Sequence, residues 1–202
     1  GGTVRLTGSG LSMVDWKPIS GVLPPLGEDA WQEEFEQYKQ SPQFQKVNHW
    51  MELDAFKRIF FWEYIHRLLG RLLGVLFALP WIAFVASGRL RGKAAVKTSI
   101  AFVLGGLQGL LGWYMVRSGL VDRPSVSHLR LGAHLGLALV VANYVLWLIL
   151  EQLVSVPRCV HELEERRRRF THRGALALLV LISVQVLYGA FVAGTHAGHL
   201  FS

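Results

Sequence analysis

Long apolar runs dominate the pattern of hydrophobic and polar positions along this chain of 202 residues. Four runs have at least about 18 residues and few charges, and they cover residues 60–87, 94–116, 129–150 and 174–193. At about 1.5 Å per residue, each run can cross a hydrocarbon core of about 30 Å. The pattern therefore predicts an all-α protein, a polytopic membrane helix bundle with four spans in this chain.

The region before the first run has a mixed pattern. Residues 1–26 are rich in glycine, serine and proline, which predicts irregular backbone. Trp31, Phe35 and Tyr38 then fall at i, i+4 and i+7, so we expect a short amphipathic helix around them. A second short helix is expected near residues 48–58, leading into the first span.

Positive charge is concentrated between the spans, although the net charge of +7 belongs to the whole chain. The basic residues of these two junctions are Arg89, Arg91, Lys93, Lys97, Arg158, Arg166 to Arg169, and Arg173. Short basic loops stay on the cytoplasmic side, or on the matrix side of a mitochondrion. This distribution indicates membrane topology and contact with lipid head groups, and it argues against nucleic acid as a partner.

The topology divides the chain into four regions. They are an outer segment at 1–59 (periplasmic or intermembrane), three spans at 60–150, a cytoplasmic or matrix loop at 151–173, and a fourth span at 174–202. A faint repeat relates residues 3–11 to residues 191–199, with Val4, Thr7 and Gly10 matching Val192, Thr195 and Gly198. The repeat predicts that the outer segment begins with the end of a further, truncated span, as in a repeat protein.

Two histidines lie inside spans at matching depth. His66 and His134 each follow the outer end of a span, so both imidazoles are expected roughly 6 to 10 Å below the outer edge. Such a pair is typical of the axial ligands of a haem iron. The alternative is that each histidine hydrogen-bonds a neighbouring helix. Glu63 is i−3 from His66 and favours a functional site, because an intramembrane carboxylate is costly.

Arginines close to these histidines extend the candidate site. Arg67, Arg71 and Arg130 could receive haem carboxylates through charge-assisted hydrogen bonds. The alternative is snorkelling to lipid head groups, which is favoured for Arg67 and Arg130 and equally weighted for Arg71. For His196 and His199, near the end of the fourth span, we expect interfacial polar contacts, since no third metal ligand accompanies them.

Four stretches of the chain resemble the haem A synthase family. They are GGTVRLTGSGLSMVDWKPISGVLPP, FKRIFFWEYIHRLLGRLLG, GLQGLLGWYMVRSGL and LRLGAHLGLAL, in order over nearly the whole chain. The resemblance implies eight spans in two similar four-helix halves, each with its own histidine pair. This chain would then be a fragment that holds somewhat more than half. Some members carry a cysteine pair in the first outer loop, whereas the one cysteine here is Cys159, so the chain resembles the form without that pair.

Members of this family oxidise a ring methyl group of haem O to the formyl group of haem A, for cytochrome oxidase assembly. The resemblance implies that His66 and His134 are the iron ligands of the first-half haem site and that Glu63 is the acid beside it. It also implies a haem b in the second-half site, largely outside this chain, with haem O as substrate and haem A as product. Expected partners are membrane lipid, a haem O synthase and a membrane electron acceptor, and a homo-oligomer stays open. The expected location is the bacterial inner (plasma) membrane or the mitochondrial inner membrane.

Two other functions stay open from the residues themselves. One is a bis-histidine electron-transfer cytochrome b without substrate turnover, and the other is a transporter whose histidines relay protons. Glu63 and the long outer segment favour the enzyme, because a pure electron carrier needs neither.

Overall fold

The computed structural model of the chain describes residues 1–17, 20–120, 125–154 and 162–195. Within these ranges the helices are α1 (Gly2–Leu6), α2 (Glu28–Lys39), α3 (Leu53–Ala86), α4 (Gly92–Gly119), α5 (His128–Leu153) and α6 (Glu162–Gly194). A 3-10 turn at Ser20–Val22 and a π-helical turn at Phe44–Asn48 complete the described regular structure. Cys159, His196 and His199 lie outside the described residues.

The prediction of an all-α polytopic membrane protein is confirmed. Helices α3, α4, α5 and α6 are each long and apolar enough to cross a membrane. Helices α4 and α5 extend the predicted apolar runs by only a few residues at either end. The side of the membrane to which each basic junction belongs stays a prediction.

The expected separate helix near residues 48–58 is wrong, because α3 is one helix from Leu53 to Ala86. No glycine or proline interrupts the sequence between Leu53 and the predicted start of the span at Phe60, so the helix has no reason to break there. At the other end, Gly88 has a φ of +67°, a left-handed conformation that glycine adopts without strain. With 34 residues at about 1.5 Å each, α3 is longer than a hydrocarbon core of about 30 Å requires.

Helix α6 also begins earlier than predicted. Residues 166–169, expected in a loop, are helical because α6 begins at Glu162. The loop interpretation followed charge alone, whereas glutamate and arginine are good helix formers and no glycine or proline precedes Gly174 in this helix. The remainder of the predicted loop lies partly outside the described residues.

The chain forms two compact units, Gly1–Ser127 and His128–Ser202. In the first unit, α1, α2 and α4 each contact α3. In the second unit, α5 packs along α6. A Cβ atom added at Gly132 of α5 would lie 2.8 Å from Cε1 of Phe191 in α6, so this contact requires the small residue.

Candidate functional site

An aromatic cluster fixes the outer segment on the N-terminal part of α3. Its buried members are Met13, Phe35, Tyr38, Met51, Phe56 and Phe60. The Tyr38 and Phe56 rings stack with centroids 5.1 Å apart, and Trp31 meets Phe60 edge-on at 5.1 Å. Such aromatic pairs add stability beyond the area they bury. The predicted amphipathic helix α2 therefore packs its aromatic face on α3.

We call this aromatic cluster the cover. Glu63 is buried beneath it, with 2% of its surface exposed. Its Oε2 accepts hydrogen bonds from Ser12 Oγ at 2.8 Å and from the Met13 backbone N–H at 2.9 Å. Its Oε1 pairs with Nη2 of Arg67 at 2.5 Å. Three donors thus face a side chain that, when ionised, can only accept. A buried carboxylate needs such compensation, because burial without it is costly.

Arg67 and Arg71 bind backbone oxygens of the outer segment. Nη2 of Arg67 donates to Met13 O at 2.9 Å, and Nη1 reaches Asp15 O at 3.4 Å. Nη2 of Arg71 donates to Lys17 O at 2.9 Å. The irregular backbone here has no helix to satisfy its carbonyl groups, so the arginines supply the donors. Neither snorkelling nor haem binding accounts for these contacts.

Residues 12–17 form what we call the strap. The strap runs in the same direction as α3, because the earlier carbonyl meets Arg67 and the later one meets Arg71, one helical turn further on. The chain then returns, since Tyr64 Oη donates to Val22 O at 2.7 Å. Glu63, Arg67 and Arg71, spaced at i, i+4 and i+8, hold the strap along one face of α3. We call these three side chains the clamp.

By helix length alone, we expect the clamp near the outer hydrocarbon edge. Counting about 20 residues back from Ala86, the number that crosses a bilayer core, ends at Arg67. At about 1.5 Å per residue, Arg71 would then lie about 6 Å inside that edge and Glu63 about 6 Å outside it, so His66 would lie at the edge and not 6 to 10 Å below it. The strap would then bring non-helical backbone to the hydrocarbon boundary, which is tolerated only where protein groups satisfy it.

The strap is also held on the side facing α2. Lys17 Nζ donates to Glu34 Oε1 at 2.6 Å and lies 3.7 Å from Asp15 Oδ2. The hydrogen bond with Glu34 raises the pKa of Lys17 above its usual value. The pair is partly exposed, so its contribution to stability is modest.

His66 lies beside the clamp on α3. It is exposed on α3, and a helical position three residues after Glu63 is rotated by about 60° from it. Its Nδ1 lies 3.4 Å from the nitrogen of Gly1. The structure thus brings Glu63, Arg67 and Arg71 together on one face, with His66 beside that face on the same helix.

His134 and Arg130 lie in the first turns of α5 and belong to the second unit. The pairing of His66 with His134 around one iron therefore stays a prediction, and so does a role for Arg130 at the same site. Among the described residues, no three histidine, cysteine or acidic side chains form a metal-binding group.

Comparison with known proteins identifies the family. The family model described as cytochrome oxidase assembly protein matches residues 1–202. The chain belongs to this family. Because four helices are of membrane-spanning length and its relatives are bacterial, this cytochrome oxidase assembly family member is a multi-pass protein of the inner membrane.

Three relatives show how much of the protein this chain represents. It is 46% identical over 202 residues to the heme A synthase of Parvibaculum lavamentivorans, covering 100% of this chain and 57% of that protein. It is 47% identical over 208 residues to the heme A synthase of Nitrosomonas eutropha, covering 100% and 56%. It is 47% identical over 207 residues to that of Paramagnetospirillum magneticum, covering 100% and 57%. The chain therefore spans somewhat more than half the length of these relatives. No solved structure matches it.

Sequence reasoning missed the partners of Glu63. Ser12 and the Met13 amide fall in the part of the chain predicted to have irregular backbone, yet both bind Glu63 and so help to hold the strap on α3. The signal was present in the first of the four resembling stretches, which contains the whole strap. That stretch marks the residues, but it does not reveal which atoms they contact.

Proposed function

We propose that the full-length protein is a haem A synthase, a membrane oxidoreductase that converts a ring methyl group of haem O to the formyl group of haem A. The observation that carries this proposal is the identity of 46–47% to proteins named heme A synthase, extended over the entire chain. Membership of the cytochrome oxidase assembly family agrees with it. Because the chain covers somewhat over half of those relatives, the activity is proposed for the whole protein.

The residues fit a haem in the first half of the protein. Imidazole is an ordinary axial ligand of haem iron, and His66 is exposed on α3 outside the clamp, where a planar ligand can approach it. We propose His134 of α5 as the second ligand. When bound, the haem supplies the iron and the methyl group that is oxidised. The substrate site would then lie beside the strap-bound face of α3.

Glu63 is proposed to take up a proton released during methyl oxidation. The geometry offers a way for the carboxylate to do so without losing its neighbours. Ser12 Oγ lies 2.8 Å from Glu63 Oε2 and also 2.8 Å from Ser9 O. A hydroxyl has one hydrogen, so Ser12 can turn its O–H to Ser9 O and accept from a protonated Glu63. The strap would stay bound in both protonation states.

Arg67 and Arg71 would bind the haem carboxylates while they continue to hold the strap. Arg67 and Arg71 each donate to strap carbonyl groups, so a carboxylate nearby would share their remaining N–H groups. Arg130 of α5 is proposed as a further donor. These residues would orient the haem rather than take part in its oxidation.

The proposal extends to components outside this chain. A haem b in the second half of the full-length protein, a membrane electron acceptor and a haem O synthase that delivers substrate are proposed from the family resemblance. Removal of electrons from the methyl group requires an acceptor, and a second haem would provide a path to it.

The test is haem extraction from membranes that make haem O and lack their own haem A synthase. With the full-length protein we expect haem A, and without it only haem O. If the protein inserts, binds haem and shows a bis-histidine spectrum while haem O persists unchanged, the activity is wrong. That result would favour the electron-transfer cytochrome b.

A set of three variants tests the individual roles in the same host. Glu63→Gln should bind haem O but stall before the formyl product, with a hydroxylated intermediate accumulating. His66→Ala should reduce the amount of haem bound. Ser12→Ala is the matched control, because it removes one hydrogen bond of Glu63 and keeps the carboxylate. Normal levels of haem A from Glu63→Gln would show that Glu63 acts only in the clamp. Equal losses of haem A in Glu63→Gln and Ser12→Ala would lead to the same conclusion.

A further inference from the structure

A cavity beside the clamp lies between the strap and the C-terminal end of α4. It has a volume of about 210 Å³ and is lined by Val14, Trp16, Arg67, Trp113, Val116, Arg117 and Leu120. Helix α3 contributes Arg67, the strap contributes Trp16, and the last turns of α4 contribute Trp113 and Arg117. All of these residues belong to the first unit.

Two arginine–tryptophan pairs face this cavity. The guanidinium carbon of Arg67 lies 5.4 Å from the Trp16 ring centroid, and that of Arg117 lies 5.3 Å from the Trp113 ring centroid. Both distances are within the range of cation–π attraction, which orients a guanidinium on an aromatic face and leaves its edge available for hydrogen bonds.

Among the described residues, the positive charge at this cavity that no acid balances is that of Arg117. The clamp pairs Arg67 with Glu63, which does not line the cavity. In the part of the chain that the structure describes, no acidic side chain lines the cavity and Arg117 forms no ion pair. The apolar side chains of Val14, Val116 and Leu120 complete the wall. Such a lining suits an anionic group attached to an apolar body.

The size and position of the cavity further restrict the kind of ligand that it can bind. Pockets that enclose a drug-sized molecule measure about 300–1,000 Å³, so this cavity accommodates a head group and not a whole molecule. By helix length, we expect Arg67 near the hydrocarbon edge. The body of the ligand would therefore extend into the bilayer while its charged end stays between the two arginines.

We propose that this cavity binds the anionic head group, a phosphate or a carboxylate, of an amphiphilic molecule in the membrane. Arg117 donates to the oxyanion, together with the N–H groups of Arg67 that the clamp and strap do not use, and Trp16 and Trp113 hold the two guanidinium groups in place. An acidic phospholipid and a porphyrin carboxylate share this chemistry. A phospholipid head group here would be independent of the proposed function, whereas a porphyrin carboxylate would be the haem contact already proposed for Arg67.

The test compares head groups on the purified full-length protein in detergent. Short-chain phosphatidylglycerol and phosphatidylcholine of the same chain length are titrated and counted by native mass spectrometry. For Arg117→Gln we expect about tenfold weaker binding of phosphatidylglycerol, the effect of losing one hydrogen bond to a charged group, with phosphatidylcholine unchanged. Arg117→Lys should be intermediate, because it keeps the charge and loses the fork of donors.

Arg58→Gln is the matched control. It removes one positive charge from the same end of the molecule, is exposed on α3 and does not line the cavity. In a second arm, a dicarboxylate porphyrin is compared with its dimethyl ester on the same variants. Weakening confined to phosphatidylglycerol assigns the site to phospholipid, and weakening confined to the dicarboxylate porphyrin assigns it to a porphyrin carboxylate. If Arg117→Gln changes neither, or changes phosphatidylglycerol and phosphatidylcholine equally, the proposal is overturned.

Discussion

The two ends of α3 are held to their neighbours by different kinds of contact. The N-terminal end is bound by charged side chains to irregular backbone, with Glu63 buried at the centre of three donors. Toward the other end, Trp81 stacks on Phe102 of α4 with ring centroids 4.9 Å apart and donates its Nε1–H to Thr98 Oγ1 at 3.2 Å. One helix thus uses charge where backbone lacks partners and aromatic packing where it meets another helix.

The difference teaches where polar residues belong in a membrane helix. An α-helix satisfies its own backbone, so α4 needs little from α3 beyond a fitting surface. The strap cannot satisfy its own carbonyl groups, so α3 must provide donors for it. The acid and arginines at the start of the first span are therefore accounted for by the strap before any ligand is considered.

The largest loss of stability should come from Arg67→Ala, because this change removes contacts that hold the strap on the N-terminal end of α3. The change leaves Glu63 buried without its cation and Met13 O without a donor. Removing one partner of a buried ion pair costs about 3–5 kcal/mol, which corresponds to exchange on the order of a thousandfold faster at the Met13 amide. Hydrogen exchange of the full-length protein measures this directly. Exchange at Met13 as slow as in the parent protein would show that the clamp does not hold the strap.

A smaller effect at the same end is expected for Ser12→Ala. The Glu63 carboxylate loses one donor and keeps the Met13 amide and Arg67. Hydrogen bonds to charged groups contribute about 1.5–3 kcal/mol, so Met13 exchange should accelerate by about ten- to a hundredfold. Ser12→Thr keeps the hydroxyl and serves as the control. Equal acceleration in both variants would mean that packing, not the hydrogen bond, is being measured.

The same residues show how much of the fold can be predicted from the sequence. Apolar runs predicted four spans because the bilayer demands length and hydrophobicity, and both are local properties. Helix starts were harder, since nothing between Leu53 and Phe60 or between Glu162 and Arg169 stops a helix, and hydropathy marks the membrane rather than the helix end. Glu63 was singled out because an intramembrane carboxylate is costly, and the structure gives this carboxylate three donors.

The partners themselves could not be predicted. Ser12 is separated from Glu63 by 51 positions, and Met13 by 50, so no local pattern links them. Charge patterning places Arg67 one turn after Glu63, but the same spacing suits a surface pair, a snorkelling side chain or a ligand site. Only the fold of the outer segment decides between these, and that fold depends on the aromatic cluster around Phe56.

At the α4-facing end, Trp81→Phe should have a smaller effect. The ring stack with Phe102 is kept, and one hydrogen bond to Thr98 is lost. Interhelical hydrogen bonds in membranes contribute about 0.6 kcal/mol on average, so the thermal midpoint in detergent should fall by about 1–3 °C. Exchange at the Met13 amide should not change. A large acceleration there would mean that the two ends of α3 are coupled and are not held independently.

The smallest effect is expected from alkaline titration of the cover above the clamp. Tyr38 is fully buried in α2, donates to Gln43 Oε1 at 3.0 Å and accepts from Asn48 Nδ2 at 2.7 Å. Burial raises the pKa of Tyr38 above its usual value of 10.0, and the charge of Glu63 acts in the same direction. A raised pKa means that the folded state keeps a proton that the unfolded chain releases, so this stability is complete below pH 10 and is lost as the pH rises through the folded value. The thermal midpoint should therefore fall above pH 10, together with a rise in tyrosinate absorbance.

Tyr38→Phe keeps the ring stacked on Phe56 and should remove this part of the decline in the thermal midpoint. The part due to Lys17, whose pKa is also raised, should stay. An identical alkaline decline in both proteins would show that Tyr38 does not couple the cover to the clamp.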